Sequence, residues 1–241
     1  MKVLVACEES QAVCKAFRDL GHEAYSCDLQ DCSGGHPEWH IKDDVIKVLN
    51  PSYLDFPCGA DINDMDGDYG IEFITTDGEY HLFFGKWDLI IAHPPCTYLS
   101  NAGACRLYPQ KGIIDENRYC KGIDAKKFFM EMLNADCDHI AVENPVPSKV
   151  FDLPQKTQVI QPYEFGHPFT KKTYLWLKGL PLLKPTDIVE PKGPYVCGNS
   201  EMWKRQAANG FVYGKEKSAK HRSKTFPGIA KAMAEQWGGK V

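Results

Sequence analysis

Residues 87–96 read WDLIIAHPPC, and this stretch decides the fold. Leu89 to Ala92 is a short unbroken apolar run, the mark of a strand buried on both faces. Pro94 and Pro95 stop it at once, because proline removes a ladder donor and fixes the backbone. The strand therefore delivers His93 and Cys96 to its carboxyl end.

Working outward gives an alternating rhythm. KVLVAC at 2–7 reads as a strand. Ala12, Val13, Ala16, Phe17 and Leu20 recur at helical spacing and predict a helix over 10–20, ended by Gly21. Residues 23–27 form a second strand ending at Asp28. Residues 43–49 read as a short helix stopped by Asn50-Pro51. A long helix is expected over 115–134, with Ile123, the Lys127 stem, Met130 and Leu133 on its inner side. Residues 138–142 are a strand running into Glu143-Asn144-Pro145. Strands and helices in alternation predict an α/β fold with a doubly wound, Rossmann-like sheet. Ligands of such sheets sit at the carboxyl ends of the strands. Those ends here are Cys7-Glu8-Glu9-Ser10, Asp28, His93-Pro94-Pro95-Cys96 and Glu143-Asn144.

Residues 51–86 break the rhythm with eight acids and one lysine. Tyr69 to Phe84 reads as a hairpin around Asp77-Gly78, with a type I′ turn. DINDMDGD at 61–68 lacks the EF-hand register: with Gly67 at the sixth position, Ile62 falls on the first ligand and Phe73 on the last. A solvated acidic insertion is expected. Strands are expected at 157–160 and 173–177. A Pro-, Gly- and Lys-rich stretch follows at 181–222. Residues 227–237 close with a helix presenting Ile229, Ala230, Met233 and Trp237 on one face. The chain thus divides into a core at 1–165 carrying the insertion 51–86, a small basic lobe at 166–222, and a C-terminal helix at 223–241 that returns to the core.

The composition fits this reading. The chain has 241 residues, 43% apolar and 25% charged, the range of an ordinary globular protein. Disorder, collagen and coiled coil are excluded as the main architecture. No run of about 18 apolar residues offers a membrane span, and MKVLVACEES meets an acid at Glu8, too early for a secretory core. A cytoplasmic protein with no membrane partner is expected. The net charge of −4 conceals two unlike parts. Residues 1–165 hold 14 Lys/Arg against 27 Asp/Glu, or −13; residues 166–241 hold 14 against 5, or +9. The basic end calls for a polyanionic partner. It interleaves Trp203, Lys204, Arg205, Phe211 and Tyr213 with Lys215, Lys217, Lys220 and Arg222, a pattern suited to phosphate contact and base stacking. A solvated charged face is the simpler alternative for such a run.

Ten cysteines without any CxxC pair fit reduced thiols better than a disulfide framework. Cys27, Cys32, His36 and His40 have a spacing that zinc could use. A glycine-bearing loop beside a pocket is the preferred reading, and no metal is expected.

Two residues carry the chemistry. Cys96, held rigid after Pro-Pro at a strand end, is a candidate nucleophile, active as the thiolate. Glu143, at the next rim position, can protonate or hydrogen-bond a heterocycle while the thiolate attacks. A buried structural cysteine and a simple strand-end turn are the plainer readings of the same residues.

Pro94-Pro95-Cys96 followed by Leu99-Ser100, then Glu143-Asn144-Pro145, resembles the Pro-Pro-Cys and Glu-Asn-Val motifs of DNA cytosine-5 methyltransferases. Gly166-His167-Pro168-Phe169-Thr170-Lys171-Lys172-Thr173 resembles their Gly-x-Pro-Gln-x-Arg-x-Arg motif. Ser223-Lys224-Thr225-Phe226-Pro227-Gly228-Ile229-Ala230 resembles their C-terminal Asn-Ser-Val-Pro-Pro-x-x-Ala motif. The blocks are scattered over most of the chain in the family's order, and the whole looks most like small methylase-like proteins of bacteriophages and prophages.

The resemblance implies an S-adenosylmethionine-dependent methyltransferase sheet acting in a bacterial or phage-infected cytoplasm. Cys96 would attack C6 of a cytosine flipped from DNA, duplex or single-stranded. Glu143 would hold N3 and the exocyclic amine, and Lys171 would position Glu143 or the base. Asp28 would take the cofactor ribose and Asp44 its adenine. Ser10 and the amides opening the first helix would hold the methionine carboxylate. Cys7, Glu8, His93 and Pro94 would line the cofactor pocket. Pro95, Asn144 and Pro145 would face the base, and Lys215, Lys217, Lys220 and Arg222 the phosphates.

The chain departs from the family at definite places. The loop Ala6-Cys7-Glu8-Glu9-Ser10-Gln11 has no glycine where the family has Phe-x-Gly-x-Gly-Gly. His93 replaces a glycine, Phe169 a glutamine and Thr173 an arginine, and residues 174–222 are short for a target-recognition region. Two other readings therefore stay open: a catalytically degenerate nucleic-acid-binding protein of the same fold, and a methyltransferase acting on tRNA or a free cytosine nucleotide.

Overall fold

The computed structural model describes residues 1–54, 69–104, 106–195 and 223–239. In chain order its strands are β1 (Lys2–Ala6), β2 (Glu23–Cys27), β3 (His40–Ile41), β4 (Ser52–Tyr53), β5 (Tyr69–Ile74), β6 (Tyr80–Phe84), β7 (Leu89–Ala92), β8 (Ile140–Pro145), β9 (Gln158–Ile160) and β10 (Thr173–Lys178). The helices are α1 (Ala12–Arg18), α2 (Ile46–Leu49), α3 (Asn101–Ala104), α4 (Glu116–Leu133) and α5 (Pro227–Met233), the last running on as a wider turn over Ala234–Gly238.

Seven strands make the main sheet, in the order β3-β2-β1-β7-β8-β10-β9. β3, β2, β1, β7 and β8 are mutually parallel, and β10 runs antiparallel to both neighbours. The chain starts in the middle, winds outward through β2 and β3, then resumes at β7 and winds the other way. The order reverses between β1 and β7, the place in such sheets where ligands are bound outside the carboxyl ends. The expected α/β sheet is present.

Both faces of this sheet are covered, which is why its central strands are apolar throughout. Val3, Val5, Leu89 and Ile91 pack with Val13 and Phe17 of α1 and with Ala230 and Met233 of α5. Leu4 and Ile90 point the other way, to Phe129 and Met132 of α4 and to Trp87 and Trp176. Asp115 caps α4 by accepting the Arg118 amide at 2.9 Å, a typical use of Asp at this position. The buried stripe of α4 is Gly122, Phe129 and Met132. Ile123, Met130 and Leu133 of the expected inner side are half-buried and pack against the same core, while the fully buried positions lie one residue earlier, where a Cβ at Gly122 would enter the Phe151 ring. Phe151 docks on that bare patch. Lys127 stays 72% exposed.

The insertion is more than solvated chain. β4, β5 and β6 form a second, antiparallel sheet. Ile71, Phe73 and Phe83 alternate inward and join the core around Trp87, with Phe83 edge-on to that indole at 4.8 Å and Phe73 edge-on to Tyr25 at 4.8 Å. The period-two pattern hides an apolar face beneath an acidic average. The turn also differs from the expected type I′. Gly78 N–H donates to Thr75 O and Thr75 N–H to Glu79 O, while Gly78 alone takes a positive φ, 94°. A type I turn followed by a left-handed glycine is the three-residue hairpin solution. The EF-hand-like residues 61–68 lie outside the described residues.

β10 belongs to the main sheet, although the boundary at 166 assigned it to the basic lobe. Its residues Leu175 and Trp176 are buried on opposite faces. Among the described residues no helix is long and apolar enough to cross a membrane, and the seven described cysteines are free thiols.

Candidate active site

Strand register builds the site. Cys27 stands beside Ala6, Ala6 beside Ala92, and Ala92 beside Val142. The next residue of each strand is therefore Asp28, Cys7, His93 and Glu143, aligned along one rim. His93 and Glu143 share a strand parity and so a side of the sheet. The sequence expectation that these loops converge holds for this row.

The centre of the row is a hydrogen-bonded pair. His93 Nδ1 lies 2.9 Å from Glu143 Oε2, with the side chains only 10% and 13% exposed. Burial opposes the charge on both groups. The mutual hydrogen bond and charges outweigh it, raising His93 above its ordinary range and holding Glu143 below its own. The Glu8 carboxylate helps to raise His93, and Lys171 helps to lower Glu143. Cys96 is half-buried on the same loop as His93. Burial and then the Glu143 charge push its thiol up, and the Lys171 ammonium pulls it down. The charges of Glu143 and Lys171 thus both reach the Cys96 thiol, whose net displacement is upward, and Lys171 also reaches Glu143. Lys171 is fixed at its backbone, whose N–H donates to Gln161 Oε1 at 2.9 Å. Its Nζ lies 5.8 Å from the Phe226 ring centre.

Glu8 takes a different role from the one expected. Its carboxylate is buried and accepts the Val13 N–H at 2.8 Å and the Cys14 N–H at 3.2 Å. Ser10 Oγ accepts the Ala12 N–H at 3.4 Å. The opening amides of α1, expected to meet a cofactor carboxylate, are held by the chain's own residues. A left-handed Gln11, φ 57°, bends the loop back to make this possible.

Cys7 and Asp28 directly follow β1 and β2, and Asp44 lies in the loop after β3, with both carboxylates near enough to act on the Cys7 thiol. Cys7 has a positive φ of 59°, and burial followed by the Asp28 and Asp44 charges pushes its thiol up to about 12. Such a thiol stays protonated and lines rather than attacks. Asp28 is half-buried and accepts the Gln30 amide at 2.9 Å. Asp44 is exposed and accepts the Ile46 amide at 3.1 Å. Pro94 is buried and Pro95 exposed. Pro145 ends β8 half-buried. Asn144 is fully buried, and neither side-chain polar atom has a protein partner. Lys215, Lys217, Lys220 and Arg222 lie outside the described residues.

The zinc-like spacing does not converge. His40 uses both ring nitrogens, on Ser26 Oγ at 2.9 Å and Gln30 O at 2.8 Å. His36 stacks on Trp39 with ring centres 3.9 Å apart. Cys27 Sγ donates to Asp43 O. Among the described residues no group of His, Cys, Asp or Glu is arranged to hold a metal.

Sequence reasoning missed three features. The His93–Glu143 bond joins residues 50 positions apart, visible only once the strand register is known. The Gln11 amide clasps the His36 backbone, donating to its O at 2.8 Å and accepting from its N–H at 3.1 Å. Lys224 donates to Ser33 Oγ at 2.9 Å and stands 3.9 Å from Glu9, tying the C-terminal segment to the rim. A cavity of about 790 Å³ lies between α1 and α5, its wall including Lys15, Tyr195, Lys224 and Phe226. It reaches Ser10 and none of His93, Cys96 or Glu143, so the chemistry sits on the rim beyond it. No family model matches this chain, and no curated protein matches it in sequence.

Proposed function

We propose that the chain transfers a methyl group from S-adenosylmethionine to C5 of cytosine in DNA, through a covalent adduct on Cys96. The observation that carries this reading is the placement of Cys96 on the loop leaving β7, three residues past His93, whose ring lies 2.9 Å from Glu143 on the neighbouring strand β8, beside the point where the strand order reverses. The Cys96 thiolate forms a bond to C6 of the base. Glu143 accepts from the exocyclic amine and works at N3. Lys171 places positive charge beside both and lowers the cost of the thiolate.

The cofactor fits the donor set at its nucleoside end. Asp28 offers a carboxylate to ribose hydroxyls at the end of β2, as dinucleotide-binding sheets do, and Asp44 stands nearby for the adenine. At the methionine end the α1 amides are already taken by Glu8 and Ser10, so that carboxylate must find other partners. When bound, the cofactor supplies an electrophilic methyl group.

Tritium transfer from labelled S-adenosylmethionine tests the proposal, compared across duplex DNA, single-stranded DNA, tRNA and dCMP. Label on C5 of DNA cytosine is the expected result, and label on tRNA or dCMP alone would replace the substrate. The occupied α1 amides favour one second reading, a nucleic-acid-binding protein of this fold without catalysis. Calorimetry separates the two: absence of S-adenosylmethionine binding supports the second reading and excludes the first.

A further inference from the structure

The proposed reaction leaves a proton unaccounted for, and the site holds a place for it. Addition of the thiolate to C6 makes the C4–C5 double bond and drives an electron pair onto N3, which then needs a proton. Glu143 as an ionised carboxylate has none to give. Its neighbour His93 does.

We propose that His93 is the positioning residue of this site: through its 2.9 Å contact with Glu143 it orients the carboxylate and holds the proton that Glu143 delivers to N3. This rests on the C5 reading above. One proton is shared between the two partners. It sits either on the His93 imidazolium facing an ionised Glu143, or on the Glu143 carboxyl facing a neutral His93. As the S–C6 bond forms, this one proton passes from His93 Nδ1 through the Glu143 carboxylate to N3, leaving a neutral ring facing an ionised carboxylate. When Cys96 is eliminated, the N3 proton returns by the same route, so the pair ends with the proton it began with.

The surroundings suit this task. Both side chains are almost withdrawn from water, so the proton is not lost to solvent in the ground state. The charged groups that act on His93 are Glu143 from β8, Glu8 from the loop after β1, and Lys171 from the approach to β10. Two carboxylates against one ammonium favour the protonated ring. Nε2 is buried and has no protein hydrogen-bond partner, so among the described residues the ring's hydrogen bond is the one to Glu143. Cys96 lies three residues on, while the His93 ring bonds the Glu143 carboxylate. His93 therefore acts through Glu143.

The test uses exchange of C5 tritium from cytosine in DNA for solvent hydrogen, which reports thiol addition. Wild type is expected to show a bell-shaped pH profile, needing both the Cys96 thiolate and the proton on the pair. His93→Asn keeps a donor near the Nδ1 position but has no titrating proton. It should exchange at least about 100-fold more slowly, bind DNA unchanged, and lose the alkaline limb of the bell. Wild-type rate and profile in this variant would overturn the relay while leaving the C5 reading standing. No exchange by the wild-type chain would overturn the C5 reading, and the relay with it. A second measurement needs no His93 variant: the His93 ring followed by NMR should titrate above its ordinary 6.5 and fall back in Glu143→Gln. Titration at or below 6.5 in the wild type would also overturn the proposal.

Discussion

The Glu8 carboxylate holds the amide of Val13 at 2.8 Å, and through this bond the rim of the sheet and the start of α1 are one unit. Burial pushes Glu8 up, and the His93 charge, the Val13 and Cys14 amides and Ser10 oppose that rise. Removing the acceptors should cost more than removing the charge. Glu8→Ala leaves two buried amides without partners and is expected to lose about 1–3 kcal/mol. Glu8→Gln keeps one acceptor oxygen and should lose less. Urea unfolding of the two variants checks the order, and an alanine variant within about 0.5 kcal/mol of wild type would contradict it.

Gly122 gives a test of packing against propensity. Alanine is the better helix former by about 1 kcal/mol, yet its Cβ would meet the buried Phe151 ring. Gly122→Ala is therefore expected to lose about 1–3 kcal/mol through overpacking. Adding Phe151→Leu should recover part of that loss, because the two sites are in contact and couple. Thermal unfolding of both single variants and the double variant measures the coupling; strict additivity would count against the contact.

The His93–Glu143 pair gives stability a defined pH window. His93 is raised above its ordinary 6.5, so its contribution is complete below that value and is lost as pH rises through the folded value. Glu143 is lowered from its ordinary 4.5, so its contribution is complete above that value and is lost as pH falls through the folded value. The stability gap between wild type and Glu143→Gln should be widest near about pH 5–6 and narrow on the alkaline side. Urea titrations at a series of pH values measure it, and a gap that widens above about pH 8 would reverse the assigned signs.

The charge asymmetry makes its own prediction. If the basic end meets phosphate, DNA affinity should fall steeply with salt. Neutralising Lys215, Lys217 and Lys220 together should flatten the slope of log K against log salt by up to about 3. Fluorescence anisotropy over a salt series reads this directly. An affinity indifferent to salt would return these lysines to a solvated surface.

The central sheet was legible because Val3–Val5 and Leu89–Ala92 are apolar on both faces, and that pattern belongs to buried parallel strands. The candidate nucleophile and its acid–base partner were legible as polar residues at strand ends. What escaped needed long-range register or a bend. The inward face of β5–β6 was masked by the acidic average of its segment, although Ile71, Phe73 and Phe83 alternate correctly. β10 was misassigned because the boundary followed charge, while its Leu175 and Trp176 pack into both cores. Glu8 read as a pocket acid because nothing local announces that a left-handed Gln11 turns the helix amides back onto it. His93 read as a cofactor neighbour because Glu143 lies 50 residues away.

The most direct test of the central claim is a covalent trap. DNA bearing 5-fluorocytosine cannot lose its C5 substituent after methyl transfer, so a protein–base bond formed by the proposed route persists. Wild-type protein with S-adenosylmethionine should form an adduct that survives denaturation, and Cys96→Ser should form none. An adduct unchanged in Cys96→Ser would contradict the assignment of Cys96 as the nucleophile.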